Sequence, residues 1–367
     1  MEDRLVNRYR VPATLAWPDA RPPSFDAAAY ADRCVGALVA GALGDGLGCP
    51  VETWSREHIL ARYGPAGIAD LPPEGARWTD DTQLTVIVGE SIVATGGRFD
   101  PDDFVPRLVG WLPTGRGVGR ATRAAINELE RGEPWDRVGP RLDSSGNGAA
   151  MRTAPVGLIH ALAPTAGALL LDAVCFAIPT HGGEVGVAGA VAMAAGVAWL
   201  ARQAAAGAMT IDPVAFVDFL CAAIADLETA PTPTRRPPGT PLYLRDRLRE
   251  IPAWLDRDPV DVFGETWTGA FALESVPAAI FTFLRSPGDP RSVLLTGANA
   301  SHDTDTIAAM AGNLVGAWLG AETLAAALPE WWDRIEQRDE LVDLAAGLET
   351  IGLERGPGAS HSQRSMP

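Results

Sequence analysis

The chain has 367 residues, of which 47% are hydrophobic and only 7% aromatic, and it carries a formal net charge of −16. That length allows one large domain or two smaller ones, with a core built mainly from Ala, Val and Leu. The charge argues against nucleic acid or an anionic membrane surface as a general partner, while a local basic pocket for phosphate stays compatible with it. Cys34, Cys49, Cys175 and Cys221 form no CxxC pair and no zinc-type cluster, and three of them lie in apolar helix-like runs as expected of buried free thiols.

Residues 1–25 carry scattered Pro and Arg without helical periodicity and read as an arm on the surface. Nothing there resembles a signal peptide, so a cytoplasmic protein is expected. Helical patterning then marks 27–48, 79–95, 119–131, 166–178, 184–206, 213–228, 268–286, 304–319 and 338–350, separated by Pro and Gly clusters. The apolar run 186–201 is short and interrupted by Gly, so no membrane span is expected. The Pro-rich stretch 229–242 reads as a surface loop and 355–367 as a frayed tail. Strand signals are scarce. The expectation is an all-α fold with one domain over 26–354. The oligomeric state is not legible.

Gly36, Ala40 and Gly44 form a row of small residues at spacing four, as do Gly312 and Gly316. Such rows let helix backbones approach closely. Two further segments share an odd feature. "WTDDTQLTVI", 78–87, and "SHDTDTIAAM", 301–310, each place an acid pair with threonines at the head of an apolar run. The ordinary reading is a helix start, with Thr79 or Ser301 as N-cap and the acids favoured by the macrodipole. The alternative is that the two pairs meet. Four converging carboxylates need an offset, and a hard divalent cation such as Mg²⁺ supplies it with oxygen ligands.

Other stretches admit both bland and functional readings. "DSSGNGAAMRTAPVG", 143–157, is either an ordinary turn or a loop whose backbone N–H groups approach a ligand. His181 in "THGGE" is either a cap or a ligand contact. "GDGLGCPVE", 44–52, ends the first helix with Asp45 and places Glu52 on a Pro-containing loop.

Taken in order, these motifs resemble the ADP-ribosylglycohydrolase family, which includes the dinitrogen reductase-activating glycohydrolases. The resemblance rests on "GALVAGALGDGLGCPVE" (36–52), "WTDDTQLT" (78–85), "GVGRATRAAINELERG" (117–132), "SGNGAAMRTAPVG" (145–157), "TH" (180–181) and "HDTDTIAAMAGNLVGAWLG" (302–320). It implies a compact single-domain array of helices with a central cleft holding two Mg²⁺ ions. It implies Thr79, Asp80, Asp81, Asp303, Asp305 and Thr306 as metal ligands. Ser145, Gly146, Asn147 and Gly148, with Met151 and His181, would hold the ligand, and Glu52, Asp80 and Asp303 would be the catalytic carboxylates. The implied substrate is an ADP-ribosylated protein or a ribosylated small molecule.

Two positions depart from the family pattern. His302 stands where the family usually has Gly, and its imidazole is expected to face the ligand and shape specificity. Gly117 stands where arginine-directed members tend to carry an acid, which puts cleavage of ADP-ribosyl-arginine in doubt. Glu52 is expected on a mobile loop at the cleft mouth. Three readings follow: a Mg²⁺-dependent ADP-ribosylglycohydrolase, a ribosyl hydrolase acting on a nucleotide-like metabolite, and a non-catalytic binder that reuses the cleft. Retention of all six implied ligands speaks against the last.

Overall fold

The computed structural model describes residues 2–12, 14–18, 25–234 and 239–356, so the expected tail beyond 356 lies outside the described residues. The architecture is all-α. Among the described residues the only strands are Thr232–Pro233 and Pro241–Leu242, a short antiparallel pair inside the Pro-rich loop.

Each long helix expected from periodicity is present, including Ala27–Gly48, Asp80–Ala94, Glu184–Ala205 and Thr304–Leu319. Several shorter ones carry weaker signals. Pro101–Trp111, Pro259–Thr266 and Pro290–Ala298 all begin at a proline preceded by an aspartate whose side chain accepts a backbone N–H of the first turn. Pro-213 starts are built the same way, with Asp212 capping Pro213–Ala223. In each, the Asp–Pro pair is a helix start, because proline at the first helical position lacks only an N–H that would be orphaned anyway.

The N-terminal segment corrects the expectation of a non-helical surface arm. Glu2–Tyr9 is a helix, and Leu5, Tyr9, Val11 and Trp17 are buried in the core. The Tyr9 hydroxyl donates to the Gly182 carbonyl (2.9 Å), and the Trp17 indole donates to the Ala163 carbonyl (2.8 Å) while stacking on Phe219 at 5.4 Å. Two helices, Ala27–Val51 and Glu184–Ala205, are long and apolar enough to cross a membrane by composition, but 83% and 94% of their apolar windows are buried inside the fold. They are core helices, which is the use that Ala- and Gly-rich sequences serve when many neighbours pack closely.

The centre of the molecule is the antiparallel pair Ala27–Gly48 and Thr304–Leu319. Here backbone meets backbone. A Cβ added at Gly36 would fall 2.6 Å from the Gly316 carbonyl oxygen, one at Gly44 would fall 2.1 Å from that of Ala308, and one at Gly48 would fall 2.4 Å from the Asp305 nitrogen. Asn313 reaches across to donate to the Ala37 carbonyl (2.9 Å), and the Thr304 hydroxyl donates to the Gly48 carbonyl (2.9 Å). The close pairing brings the C-terminal end of one helix, with Asp45, beside the N-terminal end of the other, with Asp305.

Gly316→Ala would put its Cβ 2.0 Å from the Gly36 carbonyl oxygen, so it is expected to cost about 3 kcal/mol or more, as overpacking against rigid backbone does. Gly110→Ala has open space around it and is expected to be neutral or to stabilise by up to about 1 kcal/mol. Urea unfolding of the two variants checks this; equal stabilities would show that the helix contact has slack.

Candidate active site

Six helix starts elsewhere in the described chain use a polar N-cap side chain, while Thr153 and Gln337 do not. Asp26, Ser55, Asp100, Asp212, Asp258 and Asp289 each accept a first-turn N–H. Asp80–Ala94 and Thr304–Leu319 are different: Thr79 and Asp303 occupy the N-cap positions, and neither side chain caps. The N-cap residues therefore do not explain the acid pairs, although Asp305 accepts the first-turn N–H of Thr306 (2.9 Å).

For Asp80–Ala94 the cap comes from another helix. Asp45, fully buried, accepts the backbone N–H of Thr79 (2.9 Å) and of Thr82 (3.0 Å), and also the hydroxyls of Thr79 (2.9 Å) and Thr82 (2.7 Å). It satisfies the orphan donors that a local N-cap would take. Asp80 and Asp81 are thereby left to face the cleft. The sequence shows Asp45 only as an acid at the end of the first helix; its partnership with Thr79 and Thr82 is a tertiary fact that no local pattern carries.

The two acid pairs converge. One carboxylate oxygen each from Asp45, Asp81 and Asp305 lies within 4.8 Å of the others, and the same holds for Glu52, Asp303 and Asp305. Glu52, Asp80, Asp81, Asp303, Asp305 and Thr306 line a cavity of about 650 Å³. Thr79 sits behind that wall, with its hydroxyl 2.9 Å from Asp45 and 3.3 Å from Asp81. Burial, with the field of Asp45 added to it, pushes the Asp80 carboxyl up to about 7. Burial also pushes Asp303 up to about 7, against a bond from Asn147 that lowers it. Asp81 and Asp305 are raised well above the usual range by burial and by neighbouring carboxylates, and Glu52 is raised by burial and by Asp45. Asp81 Oδ1 is buried with no hydrogen-bond partner. An all-oxygen donor set with an orphaned buried oxygen and mutual repulsion fits a hard divalent cation.

The Gly-rich loop forms the opposite wall. Ser145, Gly146, Asn147 and Gly148 line the cavity together with Met151, His181 and Phe271. The loop is held to the segment before Ala272–Arg285: Asn147 N–H donates to the Ala270 carbonyl (3.1 Å) and Ala272 N–H to that of Ser145 (3.0 Å). The Asn147 amide donates to Asp303 (2.5 Å) and to Ser275 (3.0 Å), so it ties the loop to the acid cluster. Phe271 was not visible as a site residue in the sequence, because an aromatic at a helix start reads as core.

Segment 116–120 closes the side next to Asp80. Arg116 is fixed by a bidentate pair with Glu336 (2.6 and 3.0 Å). Gly117 has φ +73, and a Cβ there would lie 3.1 Å from Asp80 Oδ1. An acidic side chain at 117 would be strained and would face another carboxylate. Arg120 lines the cavity at its rim.

Two expectations are corrected. His302 does not line the carboxylate cavity. It lies in a separate pocket of about 310 Å³ with Ser55, Phe263 and Trp267, and its ring packs on Trp267 at 4.2 Å. Its backbone has φ +56, which glycine adopts freely and other residues adopt at a cost of about 1–2 kcal/mol. That accounts for glycine at this position in the family pattern, and the stack on Trp267 gives the imidazole a destination outside the cleft. The Glu52 loop is also anchored rather than free: Thr53 N–H donates to the His302 carbonyl (2.5 Å) and His302 N–H to that of Trp54 (2.8 Å).

Asp45→Asn would turn an amide toward donors that need an acceptor. It is expected to destabilise the protein by about 3 kcal/mol in urea unfolding, within the range for breaking a buried hydrogen-bond network; a loss below about 0.5 kcal/mol would show that Asp45 is not the trans cap. The acid cluster has a second consequence. Asp80 and Asp303 have folded pKa values above their unfolded ones, so the folded state binds the extra protons, and this stability is present at low pH and is lost as pH rises from about 4 to about 7. A divalent cation should offset the loss. Melting temperatures measured with chelator and with MgCl₂ are expected to diverge as pH rises through that window; parallel curves would rule out cation binding at the cluster.

The chain can now be compared with known proteins. The sequence profile of the ADP-ribosylglycohydrolase family matches residues 26–357. An uncharacterized protein of Archaeoglobus fulgidus is 32% identical over 318 residues, covering 84% of this chain and 92% of that protein. ADP-ribosylhydrolase ARH3 of Gallus gallus is 29% identical, covering 87% and 93%, and ADP-ribosylarginine hydrolase Tri1 of Pseudomonas putida is 27% identical, covering 86% and 78%. A solved structure described as an ADP-ribosylglycohydrolase-related protein complex superposes with a TM-score of 0.60 at 27% identity, covering 88% of this chain and 99% of that one. With a family match over nearly the whole chain and a converged carboxylate cleft facing a Gly-rich loop, this protein belongs to the ADP-ribosylglycohydrolase family and is a glycosidic-bond hydrolase.

Proposed function

We propose that this chain hydrolyses the bond between ADP-ribose and a neutral or anionic acceptor, with two divalent cations, Mg²⁺ foremost, at the carboxylate cluster. The observation that carries the reading is that Asp305 belongs to both groups of converging oxygens, Asp45–Asp81–Asp305 and Glu52–Asp303–Asp305, which supports two adjacent cation positions sharing Asp305. Asp45 is held by four donors and backs the first position, so Asp81 and Asp305 there, and Asp303 and Asp305 in the second, would hold the ions, with Asp80, Thr79 and Thr306 beside them. Bound there, the ions would supply Lewis acidity toward the ribose oxygens and a more acidic water.

The protein's own groups do the rest. Cleavage of a ribosyl bond passes through an oxocarbenium-like state and needs a proton moved near the anomeric carbon. Glu52, half-buried in the cavity wall, is the carboxyl we assign to carry that proton. Asn147 fixes the orientation of Asp303; within the loop the Gly146 and Asn147 N–H groups are spent on Ser144 and Ala270, which leaves those of Ser145 and Gly148 for ligand oxygens.

The acceptor is inferred from the rim. Gly117 offers no acid to a guanidinium, and Arg120 places a positive charge on the cavity edge. Like charges at about 4 Å repel by about 1–4 kcal/mol between bulk water and a protein surface. The relative Tri1 is by name an ADP-ribosylarginine hydrolase, so the acceptor is the point to test.

Purified protein with MgCl₂ should be offered ADP-ribosyl-serine peptide, ADP-ribosyl-arginine peptide and ADP-ribose 1″-phosphate. The serine or phosphate substrate is expected to be cleaved with kcat/KM at least about tenfold above arginine, the equivalent of about 1.4 kcal/mol. Glu52→Gln should lower kcat by about 10²–10⁴ while leaving KM near its original value. Arginine preference would overturn the acceptor assignment, and absence of any metal-dependent turnover would overturn the hydrolytic reading.

A further inference from the structure

Arg152 lies directly behind the ligand cleft and is fully buried. Its Nη2 donates to the Phe176 carbonyl (2.9 Å) and to Thr180 Oγ1 (2.7 Å), while its Nε and Nη1 have no hydrogen-bond partner. Holding a guanidinium in the interior with two nitrogens unpartnered is costly, and an apolar side chain of similar volume would pack over Phe104 as well. A cation kept under those terms points to a use.

The use follows from hydrogen-bond direction. Thr180 Oγ1 lies 2.9 Å from His181 Nδ1. A guanidinium can only donate, so Thr180 Oγ1 accepts from Arg152. Thr180 is fully buried, which removes water as a partner for its hydroxyl hydrogen. Among the described residues the hydroxyl's hydrogen-bonding neighbours are Arg152 and His181 Nδ1, and of these Nδ1 alone can accept its hydrogen. The hydroxyl therefore donates to Nδ1, and the proton of the neutral ring sits on Nε2. Burial, reinforced by the adjacent Arg152 charge, pushes the His181 pKa down to about 3, so the ring stays neutral.

Nε2 is turned to the cleft. His181 lines it, and a Cβ at Gly148 or Gly146 would lie 3.0 or 3.3 Å from Nε2. Absence of side chains at these two loop positions lets the imidazole edge come up against the loop backbone.

We propose that Arg152 and Thr180 are positioning residues that lock His181 as a neutral Nε2–H donor toward a phosphate or hydroxyl oxygen of the ligand held by the Ser145–Gly148 loop. In that state Nε2 has no lone pair for a proton or a metal ion, so His181 is neither the base nor a metal ligand. The tautomer stands on the geometry alone; only the nature of the ligand rests on the proposed function.

The test is long-range ¹H–¹⁵N correlation on the full chain labelled with ¹⁵N-histidine, with the His181 signals assigned by their loss in His181→Gln. The expected pattern is Nε2 protonated and Nδ1 bare, unchanged as pH falls through about 6.5, where a free imidazole titrates. An Nδ1–H pattern, or titration near that pH, would overturn the proposal. Thr180→Ser should keep the pattern, and Thr180→Val should populate both tautomers. Calorimetry with ADP-ribose as probe should then show binding weakened roughly fivefold in Thr180→Val and restored in Thr180→Ser, the worth of one hydrogen bond. A folded Thr180→Val that retains the wild-type pattern also overturns it. If Thr180→Val does not fold, the wild-type and Thr180→Ser spectra decide. Failure of the wild-type chain to bind ADP-ribose would instead count against the proposed function, since the tautomer is read without ligand.

Discussion

The structure depends on a contact between two helices in which backbone meets backbone at four glycines. Ala27–Gly48 and Thr304–Leu319 touch through Gly36, Gly44, Gly312 and Gly316, and any Cβ at these positions would overlap the partner's backbone. Side-chain packing has some compliance because rotamers adjust, whereas backbone against backbone has little. The contact therefore fixes the register of the pair, and with it the position of Asp45 relative to Asp305. The carboxylate cluster is assembled around these two helix ends.

That placement explains how the cleft is charged without collapsing the helices around it. Asp45 crosses from its own helix to satisfy the first-turn donors of Asp80–Ala94, and so frees Asp80 and Asp81 from capping. The freed acids meet Asp303, Asp305 and Glu52 in a space where burial, with neighbouring carboxylates adding to it, raises the pKa of Asp81, Asp305 and Glu52. A buried cluster of carboxylates is unfavourable on its own, and the fold retains it because the surrounding helices over-determine the geometry. Arg152 is a counterpart behind the cleft: a buried cation that donates to the Phe176 carbonyl and to Thr180, whose hydroxyl lies beside His181 Nδ1.

Much of the helical frame was legible because long, Ala-rich periodic runs admit few alternatives. The Asp–Pro helix starts were less so, since proline after a polar residue marks a turn equally well until the cap is seen. The acid pairs at 79–81 and 303–306 were legible as a pattern, and the structure brings them together. Asp45 was hidden because its role lies in donors from another segment 34 and 37 residues away. His302 was misplaced for a different reason. Nothing in the sequence marks the positive φ at this position, which carries the side chain onto Trp267 and away from the ligand. The buried N-terminal helix was missed because its apolar residues are few, yet Leu5, Tyr9 and Trp17 each find a core site.

The central claim is that the glycine contact sets the geometry in which the carboxylates hold a pair of cations. Titration of the metal-free chain with Mn²⁺, followed by electron paramagnetic resonance, addresses it directly. The account predicts two ions per chain with the exchange-coupled signal of neighbouring sites. It also predicts that Gly44→Ala, whose Cβ would fall 2.1 Å from the Ala308 carbonyl oxygen, folds less stably and loses the coupled pair. Uptake of no ions by the wild-type chain, or an unaltered coupled pair in a folded Gly44→Ala, would contradict it.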